Sequence, residues 1–366
     1  VTVLGDGAWG SALAMTLLDS GNSVKIWGPF PENIREIKRT RYNKFLKGIL
    51  LPNALEPVED IAEAVANAEI LVLAAPSQYM RGTLEKLRPV FRPEQHMLVN
   101  IAKGIETGSL KRMSELCREI LGNSRYAALS GPSHAEEVSR RVPTAVVIAS
   151  EDRAIAEELQ GVFMNDLFRV YTSTDLVGVE LGGALKNVYA IATGIIDGMG
   201  LGDNPKAAMM TRAIAELSRL GISLGGDAQT FSGLSGIGDL IVTCMSKHSR
   251  NRYVGEELGK GRSLADISSE MGMVVAEGVK TAESAHDLAA KLKVETPLID
   301  TIDPVKIYEY LAQNKPVLAA DSLEMNKFGS LIFPYRTEEQ LRELAGRDLP
   351  APFACQEQQS RFVEEN

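Results

Sequence analysis

The sequence predicts an α/β chain: a doubly wound, parallel sheet in the N-terminal half, an all-α second domain, and an atypical C-terminal tail. Three observations predict it. Short β-branched runs alternate with amphipathic stretches through the first half, the pattern of strand–helix–strand units. Gly5-Asp6-Gly7-Ala8-Trp9-Gly10 follows the first of those runs and opens a helical stretch, the context in which such glycines mark a Rossmann-like, dinucleotide-binding turn. From about Asp175 the strand signals stop and long helix-friendly segments take over.

Taken in order, Val1–Leu4, Ser23–Trp27, Ile70–Ala74, Met97–Ile101 and Ala145–Ile148 read as buried strands, with a further strand ending at Ser130. Ser11–Asp19 carries apolar residues at 13, 14, 17 and 18 and reads as the first helix. Val179–Met199, Ala207–Leu224 and Ala276–Leu292 read as long helices, and glycines at 221–226 and 233–238 mark loops between helices. These boundaries predict a dinucleotide domain over 1–175, a helical domain over 176–301 and a tail over 302–366.

Composition bounds the function. A chain of 366 residues with 45% apolar and 24% charged residues has the content of a globular protein of two domains or slightly more. Its net charge of −9 argues against a nucleic-acid surface, which needs a basic stripe. A local Arg/Lys pocket for an anionic substrate is still compatible with that charge. Cys117, Cys244 and Cys355 lack CxxC spacing and are odd in number, which predicts a reducing, cytoplasmic setting. The four histidines lack metal-ligand spacing, so no metal is expected. No apolar run reaches the roughly 18–20 residues of a membrane span, and no signal peptide is visible at the first residues.

In the glycine turn, Gly5 would permit the tight bend, Gly7 the close approach of a pyrophosphate, and Gly10 the packing of helix on sheet. The helix N-terminus adds free N–H groups and partial positive charge for phosphate. The ribose reader is missing: an acid is expected roughly twenty residues past the glycines, but the second strand ends Trp27-Gly28-Pro29-Phe30, with no acid before Glu32. No arginine stands there either, so NAD and NADP both remain open.

Further on, Lys103 follows the fourth strand, where an open α/β sheet forms its crevice; as a cation it would donate to a substrate oxygen. Lys186 lies in Gly182-Gly183-Ala184-Leu185-Lys186-Asn187-Val188, an apolar helical setting that a surface lysine rarely has. A solvated lysine titrates near about 10.4 and is a poor base at neutral pH; desolvation and a second cation would lower that value. Asp239 follows Gly233, Gly236 and Gly238, and Ser249-Arg250-Asn251 reads as a phosphate cradle, the guanidinium fork matching phosphate oxygens.

These stretches, in this order from Val1 to about Thr301, resemble the NAD(P)-dependent glycerol-3-phosphate dehydrogenases. The resemblance implies reversible NAD(P)H-dependent reduction of dihydroxyacetone phosphate, a small phosphorylated three-carbon substrate, to sn-glycerol 3-phosphate, supplying phospholipid synthesis in a cytoplasmic homodimer. It implies cofactor contacts from Gly5, Gly7, Ala8, Trp9, Gly10, Pro76, Ser77, Lys103, Ala135, Arg250, Val275 and Glu277. It implies Lys186 as proton acceptor beside Lys103 and Asp239, and further substrate contacts from Gly131, Ser133, Asn187, Ser249, Arg250 and Asn251. His134 would stand behind these groups. Rival expectations are a related enzyme of the same architecture acting on a hydroxy acid, in the manner of ketopantoate reductases, and a cofactor-binding module without turnover. The stretch Asp303–Asp321 resembles part of a GT-B glycosyltransferase, with Glu309 at its donor-ribose position, which predicts a grafted tail.

Overall fold

The computed structural model describes residues 1–272 and 276–302, and the backbone of two short parallel strands at Val317–Ala320 and Ile332–Tyr335. Val275, Cys355 and Glu309, with most of the tail, lie outside the described residues.

Eight strands form one sheet: β1 (Thr2–Leu4), β2 (Lys25–Trp27), β3 (Glu56–Val58), β4 (Ile70–Leu73), β5 (Met97–Asn100), β6 (Arg125–Ser130), β7 (Thr144–Ala149) and β8 (Phe168–Ser173). Their spatial order is β3-β2-β1-β4-β5-β6-β7-β8. All neighbours run parallel except β6 and β7, which pair antiparallel from Ala128↔Ala149 to Ser130↔Val147. The sheet is therefore mostly parallel rather than wholly so. Side chains alternate between its faces as the two-residue strand period requires. Val3, Val72 and Val99 enter the core with Leu13 and Leu17, while Leu4, Leu71, Leu73 and Leu98 enter the opposite one with Leu84 and Leu116. A strand buried on both faces needs an unbroken apolar run, which is why β1, β4 and β5 are plain in the sequence.

Strand order reverses between β1 and β4, so the crevice beyond their carboxyl ends is the binding position of such a sheet. Gly5, with φ +139°, makes the turn after β1, and a Cβ there would lie 2.6 Å from the Ala74 carbonyl carbon.

The second half is organised by one helix, Leu176–Gly198. Asp175 caps it, accepting from Gly178 N at 2.8 Å. From Gly178 to Ile191 every residue is buried, the mark of a helix running through a core rather than over it. Helices Asp203–Ser223, Arg250–Gly259 and Glu277–Leu292 surround it. The contact with Arg250–Gly259 is close because four glycines face one another. A Cβ at Gly194, Gly198, Gly255 or Gly259 would overlap a backbone carbonyl oxygen of the opposing helix (Arg252, Glu256, Ile191 and Ile195 respectively).

Candidate active site

Three ionisable side chains from three elements meet at the junction of sheet and central helix. Lys103 comes from the loop after β5, Lys186 from the third turn of the central helix, and Asp239 from the start of helix Asp239–Met245. Asp239 is 1% exposed and Lys186 6% exposed. Lys186 Nζ donates to Asp239 Oδ1 and to Thr243 Oγ1 at 2.8 Å. Lys103 Nζ donates to Asp239 Oδ2 at 2.8 Å, to Gly131 O at 3.0 Å and to Ser133 Oγ at 3.3 Å. One carboxylate thus holds two ammonium groups, and the cluster keeps a net positive charge.

Burial sets the protonation of this cluster. Desolvation lowers the Lys186 pKa to about 8, with Lys103 adding to the depression and Asp239 opposing it. Burial alone would raise Asp239, but the two ammonium groups outweigh it and hold the carboxyl below its ordinary value. The turn before Asp239, Leu234–Gly238, is a π-helical bulge, a feature frequent at functional positions. Close packing fixes the lysines' backbones too: a Cβ on Gly183 would lie 2.6 Å from Ser130 Oγ and 3.5 Å from Lys103 Cγ.

A relay of amides supports the cluster from beneath. Gly278 N donates to Asn251 Oδ1 at 2.9 Å, Asn251 Nδ2 to Asn187 Oδ1 at 2.9 Å, and Asn187 Nδ2 to the Lys103 carbonyl at 3.0 Å. Ser249 caps its own helix, accepting from Arg252 N at 3.2 Å. Arg250 is exposed and forms no hydrogen bond or ion pair among the described residues. Its charge nonetheless reaches Glu277, whose carboxyl burial pushes up against the pull of the Ser77 N–H and Arg250. Across the crevice Glu277 Oε1 accepts from Ser77 N at 2.9 Å, joining the turn after β4 to helix Glu277–Leu292.

At the nucleotide end, the helix Ala8–Asp19 has no side-chain cap and no acid in its first turn, so its first N–H groups stay available to an anion. A Cβ on Gly7 would meet nothing within 4 Å, and the buried Trp9 indole N–H lacks a partner among the described residues. These features fit a dinucleotide pyrophosphate. Ala135 opens the short helix after Gly131-Pro132-Ser133-His134. His134 Nε2 lies 3.4 Å from Val242 O, with burial pushing its pKa down. Among the described residues no group of three His, Cys, Asp or Glu could hold a metal.

Two contributors escape the motifs. Thr243, one turn after Asp239, completes the Lys186 ammonium shell; the i, i+4 spacing was its only signal. Glu180, two turns before Lys186, accepts from Ser114 N and Arg112 Nη1 at 2.8 Å, Ser114 Oγ at 2.6 Å and Tyr126 OH at 2.8 Å. That buried carboxylate ties the central helix to the sheet domain, through partners no local pattern could supply.

Comparison with known proteins agrees with this geometry. Residues 1–156 match the family described as NAD-dependent glycerol-3-phosphate dehydrogenase N-terminus, and residues 175–318 its C-terminus. The second match passes residue 301, where the sequence resemblance ends; residues 302–318 thus fall within the family match, which corrects the expectation of a graft starting at 302. The chain is 50% identical over 321 residues to the glycerol-3-phosphate dehydrogenase (NAD(P)+) of Prosthecochloris aestuarii, covering 87% of this chain and 95% of that protein. It is 49% identical over 318 residues to that of Moorella thermoacetica, covering 87% and 92%. Among solved structures, glycerol-3-phosphate dehydrogenase from Coxiella burnetii superposes with a TM-score of 0.81 at 30% identity, over 94% of this chain and 98% of that one. D-mandelate dehydrogenase, at 12% identity and TM-score 0.58, shares the fold over 84% of this chain and 98% of its own. With both halves of the family matched in order and about half of the aligned residues identical to relatives covered over more than nine tenths of their length, the chain belongs to the NAD-dependent glycerol-3-phosphate dehydrogenase family.

Proposed function

We propose that this chain catalyses the reversible reduction of dihydroxyacetone phosphate to sn-glycerol 3-phosphate, with NADH or NADPH bound in the β1/β4 crevice. The observation that carries the reading is the pair of lysines on one buried aspartate, Lys186 buried and Lys103 partly so, facing the carboxyl ends of the strands. When bound, the reduced cofactor supplies a hydride to the substrate carbonyl carbon. Lys186, as ammonium, gives a proton to the carbonyl oxygen as negative charge develops there; in the reverse direction its neutral amine takes the hydroxyl proton. Its lowered pKa makes both forms accessible near neutral pH. Lys103 is a second cation beside the same oxygen, and preorganised charge in a buried site needs no reorientation during the reaction. Asp239 and Thr243 fix the Lys186 ammonium; Asn187 and Asn251 fix the Lys103 backbone.

Arg250, exposed and without a side-chain partner among the described residues, is the phosphate anchor, with Ser249 and Asn251 beside it in sequence and Gly131 and Ser133, next to Lys103, as further substrate contacts. Gly5, Gly7, Ala8, Trp9 and Gly10 receive the pyrophosphate; Pro76, Ser77, Ala135 and Glu277 complete the cofactor site. The working division is a dinucleotide domain over 1–175 and a substrate domain from 176. No helix among the described residues is long and apolar enough to cross a membrane; the reading is a cytoplasmic enzyme feeding phospholipid synthesis. A homodimer is supported by Ile237, Ile241 and Met245, spaced four residues apart and 37%, 41% and 64% exposed.

A substrate panel with NADH tests the reaction. Dihydroxyacetone phosphate should consume NADH, while unphosphorylated dihydroxyacetone and 2-keto acids should not. Preference for a keto acid would favour the hydroxy-acid rival, and NADH binding without any turnover would favour a binding module.

A further inference from the structure

A dinucleotide fold ordinarily reads the adenosine ribose with an acid at the end of β2, and here that place holds Gly28. The structure fills the position from another strand's turn. A Cβ on Gly28 would overlap the carboxyl group of Asp6, the second residue of the glycine turn after β1. Asp6 therefore occupies the space that a β2 side chain would take. The turn is locked to β2 by Gly5 N donating to Trp27 O at 2.8 Å.

Two amides hold this acid in place. Asn33, from helix Pro31–Thr40, donates to Asp6 Oδ2. Asn43 Nδ2 donates to the Asp6 backbone carbonyl at 2.7 Å and to Ser11 Oγ at 2.8 Å. The Asp6 residue is only 4% exposed, and burial pushes its carboxyl above the ordinary value against the pull of Asn33. Little here would welcome a phosphate. Arg35 is paired with Glu59 at 3.2 Å and Arg39 with Glu36 at 2.7 Å. Lys44 pulls on Asp6 as a cation and Glu32 opposes it as an anion, and the Lys44 ammonium lies over the Phe45 ring, 5.0 Å from the centroid.

We propose that Asp6 is the adenosine-ribose reader of this enzyme, accepting from the 2′-hydroxyl of NAD and repelling the 2′-phosphate of NADP, so that the enzyme selects NAD. The inference rests on the dinucleotide reading of the β1/β4 crevice. A hydroxyl donor would satisfy a buried carboxylate that Asn33 satisfies only in part. A 2′-phosphate would instead bring about two negative charges against it, in a setting where like charges are poorly screened.

Equilibrium binding without substrate tests this. Nicotinamide fluorescence gives the Kd of NADH and of NADPH for the wild type, Asp6→Asn and Asp6→Ser. The wild type should bind NADH tighter by at least about tenfold. In either variant NADPH should tighten and NADH weaken, so that the ratio falls about tenfold. Equal wild-type affinities would overturn the proposal, and so would a folded variant that keeps the wild-type ratio. If Asp6→Asn fails to fold, Asp6→Ser carries the same comparison. Displacement of NADH from the wild type by AMP, but not by adenosine 2′,5′-bisphosphate, is the result expected independently of any variant, and equal displacement by both would overturn it. Failure of both dinucleotides to bind would remove the crevice reading itself, an outcome distinct from a ratio near one.

Discussion

Replacing Lys186 by methionine keeps the length of the side chain and removes its charge. The structure sets what should follow. Asp239 would keep Lys103 at 2.8 Å and Thr243 Oγ1 at 3.4 Å, so the buried carboxylate is not orphaned. The loss of stability should therefore stay below the roughly 3–5 kcal/mol typical of a broken buried pair. The chemistry has no such substitute, because Lys103 is committed to Asp239, Gly131 and Ser133. Loss of a positioned acid–base group predicts a fall in kcat of about 10²–10⁴, or roughly 3–5 kcal/mol of barrier. NADH affinity should not change. The assay pairs NADH absorbance at saturating dihydroxyacetone phosphate with NADH binding by fluorescence. The wild type adds a sign. Reduction needs the ammonium form and should decline as pH rises through about 8, whereas oxidation needs the amine and should climb over the same range. A folded variant with kcat within about tenfold of wild type, or wild-type profiles flat across that range, would refute the assignment.

Other perturbations separate binding, closure and packing. Arg250→Ala should raise the KM for dihydroxyacetone phosphate by about 10–100-fold, the worth of charge-assisted bonds to phosphate; an unchanged KM would move the phosphate site elsewhere. Glu277→Gln keeps an acceptor for the Ser77 N–H but removes the charge facing Arg250, and a small change in NADH affinity is expected, whereas Glu277→Ala should weaken it severalfold. Equal affinity in both variants would leave Glu277 out of the cofactor site. Gly255→Ala drives a methyl into the Ile191 carbonyl oxygen. The overlap should cost about 1–3 kcal/mol, more than the roughly 1 kcal/mol alanine gains in helix propensity. A lowered urea midpoint with an unchanged slope would show this; a wild-type midpoint would contradict the close helix contact.

Much of this was legible in the chain, for reasons that also explain what was not. β1, β4 and β5 are buried on both faces and need uninterrupted apolar runs, which a sequence displays. β3 and β8 stand at the sheet edges. β3 is three residues long with Pro57 in its middle, and β8 alternates buried Phe168 and Val170 with exposed Arg169 and Tyr171, so neither makes a run. The reversal of β7 depends on the path of its connection, which composition does not record. In the site, Lys103, Lys186 and Asp239 were marked by residue type among glycines and apolar neighbours. Their meeting on one carboxylate joins positions 53 and 136 residues apart, and only the fold supplies that. The same holds for Glu180, for the facing glycines of the two helices and for Asp6, which stands in for a side chain that Gly28 lacks.

The most direct test of the account is a crystal structure with oxidised nicotinamide cofactor and dihydroxyacetone phosphate bound together. The account predicts the Lys186 ammonium within hydrogen-bond reach of the substrate C2 oxygen, the nicotinamide ring against the substrate carbon, and the phosphate on Arg250. A substrate whose carbonyl faces away from Lys186, with another side chain against its oxygen, would contradict it.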